Sequence, residues 1–144
     1  MKVLVVYDSA NGGADQVAEA ICSGIKQNGL TDAVCKAASA VSPSDVQSAD
    51  LLVVGSSNGF MAGRKASRVI KGAAGKSGLK GVAFETRQAH AAPGSSEKLA
   101  AAMSASGIEL LDKTYFSLAA NKALMAGERD MAEAYGRNLP NRLS

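Results

Sequence analysis

The sequence predicts an α/β domain spanning residues 1–144: a doubly wound, five-stranded parallel sheet in the order 2-1-3-4-5 with helices on both faces. Three observations predict it. Two continuous apolar runs, Val3-Leu4-Val5-Val6 and Leu51-Leu52-Val53-Val54, lack the polar alternation of a half-exposed strand and suit a parallel sheet covered on both sides. Strand-like runs alternate with amphipathic helices, which is the pattern of right-handed βαβ crossovers. Three of the strand runs end in loops of small and polar residues, at 8–14, 56–63 and 85–94. In this strand order the first and third strands are neighbours and the chain winds away from them in opposite directions, so the three loops converge on one crevice.

Each element follows from local chemistry. After Val3–Val6, a helix beginning near Asp15 carries Val17, Ala18, Ile21, Cys22 and Ile25 on one stripe, and it stops near Lys26-Gln27-Asn28-Gly29 with a cation in its last turn. Ala33 to Ala38 is a short strand whose Lys36 suits an edge, where charge discourages further pairing. Ser42-Pro43-Ser44-Asp45 reads as a turn or one helical turn. Asp50 introduces the second buried run. A helix from about Arg64 to Ala74 shows Ala66, Val69, Ile70 and Ala73 at helical spacing, and Leu79 to Phe84 is a fourth strand before the third loop. Ser95 or Ser96 is a candidate cap for a helix facing Leu99, Ala102 and Met103 inward. Ile108–Leu111 and Tyr115–Leu118 form a fifth strand with a break expected at Asp112-Lys113. A last helix from about Glu128 to Leu139 places its acids first and Arg137 late, matching the helix dipole.

Composition narrows the function. The chain is 47% hydrophobic and 20% charged, ordinary for a soluble globular protein, and no signal segment or long apolar span precedes Tyr7 and Asp8. A cytoplasmic protein with no membrane partner is expected. Cys22 and Cys35 have neither metal-ligand nor CxxC spacing and read as small buried hydrophobes, and His90 is the only histidine, so no metal site is expected. The net charge of +3 is uneven: Arg64, Lys65, Arg68, Lys71, Lys76 and Lys80 form a block of +6 with no acid, leaving −3 elsewhere. That block reads either as a solvated helix face or as a docking surface for an acidic partner near Arg64, Lys65 and Arg68. Nucleic acid is disfavoured because no aromatic residue is interleaved to stack on bases.

At the first loop the residues support two readings. Ser9-Ala10-Asn11-Gly12-Gly13-Ala14 is either a tight βα turn or an anion cradle feeding the free N–H groups of a helix N-terminus. The convergence of three such loops favours the cradle. With these residues in view, the chain resembles the short-chain flavodoxins over nearly its whole length. Their phosphate loop has the form [T/S]-x-T-G-x-T, which residues 9–14 occupy, with an acid at Asp15. Ala49-Asp50-Leu51-Leu52-Val53-Val54-Gly55-Ser56 looks like the family's third strand, and Val82-Ala83-Phe84-Glu85-Thr86-Arg87 is similar to its fourth.

The resemblance implies FMN as cofactor and electron transfer as function, with no catalytic side chain; enzyme status is left open, as carrier or as flavin domain of an oxidoreductase system. It implies that the amides of Asn11, Gly12, Gly13 and Ala14 hold the phosphate, with Ala10 in the loop and further bonds from Ser9 and the Asn11 side chain. The flavin would lie between Ser57, Asn58, Gly59, Phe60 and Met61 on one side and Thr86, Arg87, Gln88 and His90 on the other. The departures are specific. Asn11 replaces a threonine and still donates, but Ala14 replaces another and does not. Glycine stands at 59 where the family has a stacking ring, with Phe60 adjacent, and His90 falls near the second stacker. Phe60 and Met61 read equally as packing residues, and His90 as a surface-loop histidine. A lost bond to a charged phosphate costs about 1.5–3 kcal/mol and a weakened stack about 0.5–1.5 kcal/mol, so FMN is expected to bind roughly 1.5 to 3 decades more weakly than with the full motif. The alternative is a flavodoxin-fold binding or regulatory module with weak or no FMN, acting through its basic 64–80 segment.

Overall fold

In the computed structural model, residues 1–8, 13–27, 29, 32–57, 63–88, 91–121 and 123–142 are described. Strands β1 (Lys2–Asp8), β2 (Asp32–Ala37), β3 (Leu51–Ser57), β4 (Lys80–Gln88) and β5 (Glu109–Leu118) alternate with helices α1 (Ala14–Lys26), α2 (Pro43–Gln47), α3 (Arg64–Lys71), α4 (Ser95–Ala105) and α5 (Glu128–Asn138). The sheet order is β2-β1-β3-β4-β5, and every neighbouring pair is parallel. Val3–Val6 pairs in register with Leu51–Val54, and β2 with Lys36 lies at an edge, as the sequence predicts.

Strand alternation divides the apolar residues between two cores. Val3, Val5, Leu51, Val53, Val82, Phe84 and Phe116 face α1 and α5, while Leu4, Val6, Leu52, Val54 and Ala83 face α2, α3 and α4. On the first side Phe84, Phe116 and Tyr135 stack edge to face with centroids 6.3 Å apart. The Phe84 ring fills the space where a Cβ on Gly55 would stand, so β3 needs glycine there.

Several boundaries differ from the sequence reading, each for a local reason. β1, β3 and β4 run through Asp8, Ser57 and Gln88, carrying residues expected in the loops into the sheet. In β4 the extension is stabilised on both flanks, since Glu85 pairs with Ser56 and Tyr115, and Thr86 with Ser57 and Phe116. α3 ends at Lys71 rather than Ala74 because the chain tightens into three-residue turns, with Ala73 N–H donating to the Ile70 carbonyl and Ala74 N–H to that of Lys71. β5 is continuous. In place of a break it has a register shift in which Leu110 opposes Gly81 and Asp112 opposes Val82, leaving Leu111 as an extra residue. Ser42 and Asp45 form a reciprocal capping box on α2, so the Ser-Pro-Ser-Asp turn is a helix start.

Candidate functional site

The C-terminal edge of the sheet places three helix N-termini side by side, and the chain treats them differently. At α3, Asp8 at the end of β1 accepts through Oδ2 from the amides of Lys65 at 3.0 Å and Ala66 at 3.2 Å. At α4, Glu85 Oε1 accepts from the amides of Gly94 at 3.2 Å and Ser96 at 2.9 Å, and from Ser96 Oγ. Each carboxylate therefore neutralises a positive helix end from a neighbouring strand. The expectation that Ser95 or Ser96 caps α4 is corrected: Gly94 holds the cap position without a side-chain bond, and Ser95 Oγ donates to the Ser57 carbonyl at 3.0 Å. Among the described residues α1 has no such partner. Its N-cap Gly13 is left-handed at φ 73°, and among the described residues no side chain caps it.

The other side chains along this edge are anchored. Glu85 is fully buried, with Oε2 3.5 Å from Arg87 Nη1. The Arg87 guanidinium lies 3.7 Å from the centroid of the Tyr115 ring, a cation–π contact. Thr86 is fully buried and Ser57 half-buried. Gln88 Nε2 donates to the carbonyls of Ala119 and Ala120, at 3.5 and 3.3 Å. That bond ties β4 to a segment the sequence reading did not place. Ala119 N–H donates to Ala123 O at 2.8 Å and Met125 N–H to Ser117 O at 3.0 Å, so a turn carries residues 123–125 back over the end of β5. A Cβ on Gly13 would lie 3.4 Å from Leu118 Cδ2, so this turn borders the start of α1. At the end of β1, burial pushes the Tyr7 phenol above its ordinary pKa.

Of the residues that the sequence points to, Gly13, Ala14, Ser57, Thr86, Arg87 and Gln88 are described, and all lie on this edge. Ser9, Ala10, Asn11, Gly12, Asn58, Gly59, Phe60, Met61 and His90 lie outside the described residues. Ala14 is the first residue of α1, and its methyl is wholly buried in the α1–α5 core. The role of Asp8 was hidden in the sequence because its partner amides belong to a helix more than fifty residues away, and that of Glu85 because its partners, at the start of the next helix, lie across a loop whose path the sequence does not fix. The one available signal was an acid directly following a buried strand run. Among the described residues no helix is long and apolar enough to cross a membrane.

No family model and no curated protein matches the sequence. Comparison of structures does find matches. The chain is similar to a flavodoxin from the domain Archaea (19% identity, TM-score 0.71, 99% of both chains covered) and to the Streptococcus pneumoniae TIGR4 flavodoxin (12% identity, TM-score 0.78, 99% of both). It is also similar to a short-chain flavodoxin associated with a non-canonical PDU bacterial microcompartment (14% identity, TM-score 0.76, 100% of this chain and 99% of that one). The fold is therefore flavodoxin-like from end to end.

Proposed function

We propose that the protein is an FMN-binding electron carrier whose flavin phosphate sits at the N-terminus of α1. One observation carries this reading: the N-termini of α3 and α4 hold the chain's own carboxylates, whereas that of α1, entered through left-handed Gly13, has no side-chain cap among the described residues. A dianionic phosphate fits an uncapped helix start of this kind, with amides to donate and a favourable dipole. The flavin, when bound, takes up and releases electrons. The chain's own contribution is to bind and orient it: Gly13 and Ala14 at the phosphate, with Ser9, Ala10, Asn11 and Gly12 in the preceding loop. Ser57, Asn58, Gly59, Phe60 and Met61 would flank one side of the ring, and Thr86, Arg87, Gln88 and His90 the other. The similarity to flavodoxins supports the reading through the fold.

The test is a pair of fluorescence titrations, FMN against riboflavin, which differ by the phosphate alone. FMN should bind at least about tenfold more tightly, the equivalent of one charge-assisted hydrogen bond. Ala14→Thr should tighten FMN without tightening riboflavin. Because Ala14 is buried, the added atoms also cost roughly 1–3 kcal/mol of stability, so a urea melt accompanies the titration. Equal affinity for the two flavins, or binding of neither, would overturn the assignment.

A further inference from the structure

We propose that the groove between α2 and α3 is a docking site for an acidic protein segment that seats one apolar side chain between the helices and lays its carboxylates along α3. The groove, of about 300 Å³, has apolar walls from Ala38, Val41, Val46 and Val69, and Lys65 and Arg68 line it as well. A cavity of that size accepts one or two aliphatic or aromatic side chains. Positive charge continues past it, since Arg64 and Lys71 are exposed on the same helix. None of these four cations is in an ion pair among the described residues, although Lys36, Arg87, Lys113 and Arg137 are.

Half of that charge opposes helix stability, since Arg68 and Lys71 stand in the favourable last turn but Arg64 and Lys65 do not. α3 has no acid in its first turn, so Arg64 and Lys65 stand at the positive end of its dipole, where acids are favoured. Arg64 and Arg68 are also like charges at i,i+4, a repulsive spacing. Asp8 supplies the one carboxylate bound there among the described residues, and it reaches the backbone amides rather than the cationic side chains. Carboxylates from outside would relieve both conflicts. A row of four cations along the helix exceeds what one small anion can use, so the occupant is a chain segment with several acids around an apolar anchor. Because α3 begins at the same sheet edge as α1, a segment seated here docks beside the crevice. This inference is independent of the flavin reading.

The test titrates the isotope-labelled full chain, with and without FMN, using the peptide Glu-Glu-Glu-Leu-Glu-Glu-Glu in about 50 mM salt and following backbone NMR shifts. Shifts should concentrate at residues 38–46 and 64–72. Replacing the central Leu of the peptide by Ala should weaken binding about tenfold, and raising salt should weaken both peptides. In the protein, Lys65→Glu with Arg68→Glu should abolish binding, whereas Ser39→Trp, at an exposed lining position, should remove only the preference for Leu over Ala. Equal binding of the two peptides to the native chain would mean a plain charged face and overturn the proposal. So would an absence of shifts up to about 1 mM peptide, a millimolar constant being the weakest worth assigning. Octanoate shifting the groove residues where the peptide does not would likewise overturn it, in favour of a small amphipathic anion.

Discussion

The two helical layers cover the same sheet in opposite ways. α1 and α5 meet backbone to backbone: a Cβ on Gly24 would stand 2.0 Å from the Glu133 carbonyl oxygen, and one on Gly136 would stand 2.1 Å from that of Ile21. Gln27 clamps the pair, donating to Glu133 Oε1 at 2.7 Å while its own Oε1 accepts from Arg137 at 3.2 Å. Across the sheet, α2 and α3 stand apart over an open groove, and α3 and α4 are tied to the strands through the carboxylates of Asp8 and Glu85. The first layer is closed by shape, and the second is held at its ends by charge.

The largest break in the contrast is expected at Glu85. Its carboxylate is fully buried and serves Arg87 and the start of α4 together. Removing one partner of such a pair costs about 3–5 kcal/mol, because the other charge stays buried and unneutralised. Glu85→Ala should therefore lower Tm by roughly 10 °C in a chain of this size. Glu85→Gln leaves Arg87 equally unneutralised but keeps an acceptor for the two amides, so it should lose less than Glu85→Ala by about 1 kcal/mol or more. Equal losses from both variants would mean that the amide bonds contribute nothing measurable.

A smaller effect is expected on the closed side. Gly24→Ala gains about 1 kcal/mol of helix propensity but drives a methyl group into the backbone of α5, which cannot rotate away. Overpacking of this kind costs about 1–3 kcal/mol or somewhat more, so a net loss is expected in urea unfolding, and Gly136→Ala should match it. Gly72, on the wall of the open groove, provides the control. Its φ of −65° suits alanine, and the nearest atom to an added Cβ is 3.2 Å away in its own preceding turn. Gly72→Ala should change stability by no more than about 1 kcal/mol. If all three substitutions cost the same, the two layers are equally tight and the contrast fails.

How far the sequence could reveal this depended on whether a feature is local. The pairing of Val3–Val6 with Leu51–Val54 was legible because an unbroken β-branched run has few places to go except the middle of a parallel sheet. Lys36 marked the edge for a similar reason. Gly24 and Gly136 were not legible: a glycine inside a helix shows only weakened propensity, and the helix it touches is about a hundred residues away. Glu85 was misplaced into a loop because a polar stretch after Phe84 looks like a strand's end, and its partner amides are brought near only by the fold. At the candidate site, the helix start was legible to within one residue: the helix expected from about Asp15, after a loop of small residues, begins at Ala14 with Gly13 as its cap. The antiparallel contact of Leu124 with Leu118, which borders them, carried no comparable signal.

The smallest expected effect concerns the thiols, and it asks whether the closed side is also chemically quiet. Cys22 on α1 is buried, and Cys35 on β2 packs against the same core. Burial first, and then the nearby Cys22 and Glu19, push the Cys35 thiol up to about 12 against the opposing charge of Lys26. Burial likewise raises Cys22. The nucleophile in alkylation is the thiolate, so at pH 8 native Cys35 should react with iodoacetamide about a hundredfold or more slowly than in urea-unfolded chain. The sign of the stability effect follows from the same shift. A thiol whose folded pKa lies above its unfolded value of 9.0 contributes its full stabilisation below pH 9 and loses it as pH climbs toward 12, where the folded thiol also ionises. Stability should thus be indifferent to these two groups across neutral pH and decline above pH 9. A Cys22→Ala, Cys35→Ala double variant, less stable overall from lost packing, should show a shallower decline. Comparing its urea midpoints with the native ones at pH 8, 9.5 and 10.5 isolates the thiols from the lysines that titrate in both. Rapid alkylation of the native chain at pH 8, or identical slopes in the two proteins, would show that the α1 side opens more readily than its glycine contact implies.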